Sequence, residues 1–221
     1  GRLAAFRANR SAFAFADKFG AAFEDYAQHG LTSFPAQDAP LPDILVEDRY
    51  HFSLGGLDVE VIAVPGAETN DSLIVWLPQH KICLTGNLFG CTFGHFPNLV
   101  TIRGDRYRDA LTVAAAVQVV LDLGADTLLY GHHAPVEGRE LIATELSVLR
   151  DAIRYVHDET VKGMNAGVDL PTLMATIQLP AELEVGQGYG KVAWSVRAIW
   201  ENYAGWFKHE STTELYAQPR S

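Results

Sequence analysis

Residues 58–89 read DVEVIAVPGAETNDSLIVWLPQHKICLTGNLF, and this stretch decides the fold. Asp58–Val64, Leu73–Leu77 and Lys81–Thr85 are short runs dense in Val, Ile and Leu, which is strand composition. Pro78-Gln79-His80 joins the second run to the third as a hairpin. Just upstream, Gly55-Gly56 joins Tyr50–Leu54 to Asp58–Val64 in the same way.

Downstream the pattern turns helical. Arg106–Leu123 is amphipathic and stops at Gly124. Thr127–Tyr130 is a buried strand running into Gly131-His132-His133. Glu140–Asn165 reads as a long helix with Leu141, Leu146, Leu149, Ile153 and Val156 on one side, closed by Gly167. Leu170–Ile177 and, after GQGYG, Val192–Phe207 predict two more helices. Upstream, residues 4–29 place Phe6, Phe13, Phe15, Phe19 and Phe23 at mostly helical spacings, and the Pro-punctuated residues 30–43 form a loop. Residues 86–105 show no clean period and read as a long loop, of the kind that usually carries function. Sheet elements therefore fill the first 135 residues and helices the rest. That predicts an α/β core with a helical appendage.

Composition bounds the function. The 221 residues are 48% hydrophobic and 20% charged, as in an ordinary soluble globular protein. A formal charge of −10 without a Lys/Arg cluster argues against nucleic acid as partner. No apolar run approaches the roughly 20 residues of a membrane span. Cys83 and Cys91 make neither a disulfide framework nor a metal-ligand pair, and Cys83 reads as a small core residue. The basic N-terminus lacks the apolar stretch of a signal peptide, so a cytoplasmic and a periplasmic location both stay open.

Three loops follow strands and hold polar residues that a core does not need. They are Pro65-Gly66-Ala67-Glu68-Thr69 after Val59–Val64, Gly86-Asn87-Leu88-Phe89 after Ile82–Thr85, and Gly131-His132-His133-Ala134-Pro135 after Leu128–Tyr130. A Glu in a turn is commonly a solvated residue, and an Asn after Gly commonly a turn former. Paired histidines leaving an apolar strand are harder to dismiss, because imidazole is the commonest metal ligand.

Taken in this order, the three motifs resemble the later motifs of the metallo-β-lactamase superfamily, in its alkylsulfatase branch. That branch has Glu in the first motif, Glu in the second and His-His-x-Pro in the third. Glu68, Asn87 and His132 fall on the metal-ligand positions, and the interval 87 − 68 = 19 residues suits the branch. Pro97-Asn98-Leu99-Val100-Thr101-Ile102-Arg103-Gly104 is similar to the family's His-Asn-Leu-Tyr-Thr-Leu-Arg-Gly, whose Asn and Arg bind sulfate. Arg150–Gly167 and Gly188–Phe207 look like the alkylsulfatase dimerisation domain.

The resemblance implies part of an αββα sandwich over residues 1–138 and a helical dimerisation domain over 139–221. It implies a zinc-dependent hydrolase of small alkyl sulfate esters, with two zinc ions, and a homodimer. Asn98 and Arg103 would bind the substrate: the guanidinium fork matches a sulfate oxyanion, and the amide adds a neutral donor. Two features depart from the family. The His-x-His-x-Asp-His string that supplies most of its metal ligands is absent, since the histidines are residues 29, 51, 80, 95, 132, 133, 157 and 209. Asn87 stands where a bridging carboxylate is expected. The chain is thus expected to be an inactive fragment of a longer enzyme. The competing readings are a non-catalytic assembly module of the same fold, and a hydrolase of a phosphate or thioester.

Overall fold

The computed structural model describes residues 24–30, 42–90, 92–100 and 108–205. The chain divides into two compact units, Gly1–Leu45 with Thr101–Arg106, and Val46–Val100 with Tyr107–Ser221. In the first unit residues 24–28 are helical; residues 4–23 of the expected Phe-rich helix lie outside the described residues.

The second unit is built on a six-stranded sheet: β1 (Arg49–Leu54), β2 (Leu57–Ala63), β3 (Leu73–Leu77), β4 (Ile82–Gly86), β5 (Thr127–Tyr130) and β6 (Val136–Glu137). Spatial order follows chain order. β1 to β4 form an antiparallel meander, β5 lies parallel to β4, and the two-residue β6 returns antiparallel to β5. β6 is too short to leave a periodic signal, so the sequence does not announce it.

Helices follow their caps. α1 (Ala110–Leu123) begins four residues later than the apolar period suggests. Asp109 is extended and its carboxylate accepts the Thr112 N–H, so the chain enters the helix there, and Gly124 closes it in the left-handed conformation. The buried Arg108, just ahead of the cap, belongs to the site rather than to the helix. α2 (Arg139–Asn165) buries Ile142, Leu146, Leu149, Ile153, Val156 and Thr160. Leu141, assigned to that stripe from the sequence, is 51% exposed; Ile142 holds the place that keeps the three-to-four-residue period with Leu146 and Leu149. α3 (Leu170–Thr176), a 3₁₀ turn (Ala181–Leu183) and α4 (Val192–Ala204) complete the described chain.

Strand alternation separates two faces of the sheet. Ile62, Ile74, Trp76, Cys83 and Leu128 point to one side and join a single buried cluster with the helices, reaching Val117 in α1, Leu146 in α2 and Ile199 in α4. The opposite side carries a cross-strand row of Tyr50, Val61, Val75, Leu84 and Leu129, each opposite the next in register. These residues are half-buried or exposed and stand apart from the core cluster.

Candidate active site

Because β2 and β4 are both antiparallel to β3, and β5 is parallel to β4, the loops after β2, β4 and β5 leave the same edge of the sheet. Glu68, Asn87 and His132 sit in those three loops. The strand spacing of roughly 4.8 Å puts β2 about 10 Å from β4 and about 14 Å from β5 at that edge.

Asn87 and the His132 loop are direct neighbours. Gly131 donates its N–H to Gly86 O at 2.7 Å, which carries the β4–β5 pairing one residue past the strands. A Cβ placed on Gly131 would run into Asn87 Oδ1, so only glycine lets the amide lie over this backbone. Both Asn87 and His132 are exposed. His133 is one of two non-glycine residues with positive φ among the described residues, at 63°. Such backbone costs roughly 1 kcal/mol or more and gathers at functional loops. The rings of Phe93, Tyr130, His133 and His132 follow one another at centroid separations of 6.0, 6.4 and 6.5 Å.

Glu68 is held differently. Its Oε1 pairs with Arg108 Nη2 at 2.7 Å, and its backbone oxygen accepts from Arg108 Nε at 2.9 Å. Arg108 Nη1 reaches onward to the backbone oxygen of Asn98. Only 6% of the arginine side chain and 14% of the glutamate side chain meet solvent. One buried guanidinium therefore clamps the β2 loop, the 98–100 segment and the start of α1, and Asn202 Nδ2 donates to its own backbone oxygen at 3.4 Å from α4. Nothing in the sequence pattern marked Arg108, whose partners are 10 and 40 residues away.

Asn98 accepts the Val100 N–H on Oδ1 at 3.2 Å, a local turn bond, so its amide nitrogen is the group suited to an oxyanion. The segment is strapped down by the Gly-rich stretch before α4. Phe96 N donates to Gly186 O at 2.8 Å, Gly190 N to Phe96 O at 3.0 Å, and Gly188 N to His95 Nδ1 at 3.0 Å. A side chain on Gly190 would strike the Pro97 carbonyl, which explains a glycine there in packing terms. Arg103, the expected partner of Asn98, lies outside the described residues.

The structure thus brings Asn87 beside the His132 loop and links Glu68 to the Asn98 backbone through Arg108. Among the described residues no three His, Cys, Asp or Glu side chains gather where they could hold a metal ion. A zinc site takes at least three protein ligands. Glu68 and His132, with an amide at Asn87, do not amount to one by themselves.

No family model matches the chain. It is 32% identical over 188 residues to the linear primary-alkylsulfatase of a Pseudomonas species, covering 82% of this chain and 34% of that protein. It is 27% identical to the alkyl/aryl-sulfatase BDS1 of Saccharomyces cerevisiae, over 82% of this chain and 28% of the yeast protein. The chain therefore spans about a third of the length of the curated relatives it matches. Among solved structures, the stereoselective inverting sec-alkylsulfatase Pisa1 from Pseudomonas superposes with a TM-score of 0.72 at 27% identity, over 81% of this chain and 29% of that one. Most of the chain thus shares the fold of a part of that enzyme, as the resemblance to the metallo-β-lactamase superfamily anticipates. The chain is a homologue of the alkylsulfatases and has the α/β fold of a part of them.

Proposed function

We propose that this chain carries the sulfate-binding share and part of the metal-binding share of an alkylsulfatase-type hydrolase acting on small alkyl sulfate esters. The similarity to a linear primary-alkylsulfatase over 82% of the chain carries this reading. The common sheet edge of the Glu68, Asn87 and His132 loops supports it. Asn98 and Arg103 take the sulfate group, as an amide and a guanidinium suit an oxyanion. Glu68, Asn87 and His132 contribute zinc donors, and residues outside this chain supply the rest. Zinc, when bound, lowers the pKa of coordinated water to roughly 7 and polarises the ester. Residues 1–138 belong to the catalytic share and 139–221 to a helical assembly share. The exposed Trp194 and Tyr203 on α4 give that share a surface for homodimer contact.

Two titrations test the proposal. Calorimetry with hexyl sulfate should detect binding that Arg103→Ala abolishes without altering zinc content. Equilibrium dialysis should find weak, substoichiometric zinc that His132→Ala removes and Asn87→Glu strengthens, because a carboxylate offers charge where the amide offers a dipole. The 221-residue chain alone should not turn over hexyl sulfate. Turnover would refute the need for outside ligands. Absence of both sulfate ester and zinc binding would leave the fold as an assembly module.

A further inference from the structure

Glycines alternate in Gly186-Gln187-Gly188-Tyr189-Gly190, the strap that leads into α4, and all three press on residues 95–98. A Cβ on Gly186 would stand 2.5–2.6 Å from three atoms of the His95 ring, and one on Gly188 would stand 3.0 Å from its Nδ1. One on Gly190 would strike the Pro97 carbonyl and the Asn98 nitrogen. Two of the bonds that fasten the strap join backbone to backbone, Phe96 N to Gly186 O and Gly190 N to Phe96 O. A third is of another kind: the Gly188 N–H donates to His95 Nδ1 at 3.0 Å. A backbone N–H can only donate, so this ring nitrogen is unprotonated and the neutral imidazole carries its proton on Nε2. His95 is half-buried, and histidine is the side chain that changes charge between pH 5 and 8. Imidazolium holds a proton on both nitrogens and has no acceptor to offer Gly188.

We propose that His95 is a proton-sensitive positioning residue for Asn98. As neutral imidazole it fastens the strap that sets the oxyanion-binding segment, and as imidazolium it lets the strap go. This rests on the proposed role of Asn98 in taking the sulfate group. The route from one to the other is short. Gly190, next but one after Gly188, packs on the Asn98 nitrogen, and Asn98 Oδ1 holds the Val100 N–H at 3.2 Å. At its other end the strap is anchored to α4, where Val192 N donates to Gln187 Oε1 at 3.0 Å and Lys191 Nζ to Gln187 O at 3.3 Å. The charged and titratable groups around the contact are Glu145 on α2, whose carboxylate lies over Gly94, Arg108 beyond Asn98, and Glu184, Tyr189 and Lys191 about the strap. They carry both signs, so the device works through the hydrogen bond and not through a field of one sign. The strapped state excludes a proton that the released state takes up. Strapping is therefore complete at high pH and is lost as the pH falls.

Amide hydrogen exchange of the 221-residue chain at pH 8 and pH 5 tests this, read as protection relative to an unstructured peptide at the same pH. Calorimetry with hexyl sulfate runs beside it. From pH 8 to pH 5 the wild type should lose about tenfold or more of its protection at Gly188 and Gly190, and about fivefold or more of its affinity for hexyl sulfate. By charge alone an anion would bind more tightly as histidines take up protons, so the expected sign is the opposite of the general one. His95→Asn puts an amide oxygen near the place of Nδ1, an acceptor that does not titrate. It should match the wild type at pH 8 and keep both protection and affinity at pH 5. His95→Leu should be loose at both. Circular dichroism checks that the variants fold; should neither fold, exchange in the wild type decides alone. Gly188 protection that persists at pH 5, or a His95→Asn chain that loosens as the wild type does, overturns the proposal. So does an affinity that rises at pH 5 while the strap opens. If hexyl sulfate binds at neither pH, the sulfate reading of the site falls, and the Val100 amide bonded to Asn98 decides the positioning role. Loosening together with Gly188 upholds it, and unchanged protection overturns it.

Discussion

Replacing Arg108 by Met isolates what the clamp contributes. Methionine keeps much of the buried stem, so packing changes little, while the charge and three hydrogen-bond donations are lost. Glu68, with 14% of its side chain exposed, would be left without its guanidinium. Breaking one partner from a buried pair costs about 3–5 kcal/mol, and partial exposure of Glu68 puts this pair at the lower end. The oxygens of Glu68 and Asn98 also lose a donor, at about 1 kcal/mol each where water cannot replace it. Water reaches part of this edge, so the expected loss is about 4 kcal/mol. Against a typical total of 5–15 kcal/mol that is a large fraction. Urea unfolding followed by circular dichroism measures it, with Glu68→Gln and the double variant completing a cycle. The double variant should recover at least 1 kcal/mol of coupling relative to the sum of the singles, since it removes both members of the Glu68–Arg108 pair. A loss below about 1 kcal/mol for Arg108→Met, or additive singles, would show that the pair is solvated and that the loops are held by other means.

Two further outcomes follow from the interior of the sheet. Thr85 is 2% exposed and its hydroxyl has no hydrogen-bond partner among the described residues. Thr85→Val should therefore stabilise the chain by about 1 kcal/mol in urea unfolding, and a loss of similar size would mean that the hydroxyl is satisfied in solution. Burial pushes the Cys83 thiol up from 9.0 to about 12. The fold thus favours the protonated thiol: its contribution is complete below pH 9 and is lost as pH rises toward about 12. At pH 8 a disulfide reagent should label Cys83 only after unfolding, as peptide mapping would read; rapid labelling of the native chain would contradict the burial.

Much of the sheet is legible because its signals are local. Leu73–Leu77 and Thr127–Tyr130 match the observed strands, and Gly55-Gly56 does connect β1 to β2. The turn after β3 holds Lys81 at φ 51°, a conformation that composition alone does not reveal in a lysine. Helix ends are less legible, since the apolar period of α1 continues into residues that the Asp109 cap excludes. The three polar loops are legible because each follows a strand. The clamp that holds one of them is not, because Arg108 meets Glu68 across 40 residues and no periodicity encodes such a pair. The strapping of Phe96 by Gly186 and Gly190 was hidden for the same reason.

The parallel pairing of β4 with β5 sets an order of events for folding. The meander β1–β4 is joined by short turns and can zip up on the microsecond scale of hairpins. Asn87 meets Gly131 only after a loop of 131 − 87 = 44 residues closes, at an entropic cost near (3/2)RT ln 44, about 3.3 kcal/mol. That loop contains all of α1, so the helix must dock before the Asn87 and His132 loops can meet. The candidate site is thus among the last parts of the sheet to form and the first to come apart. Loosening α1, for instance at its Asp109 cap, should dissolve this edge while the hairpins persist, and hydrogen exchange would show protection vanishing at β5 before β2 and β3.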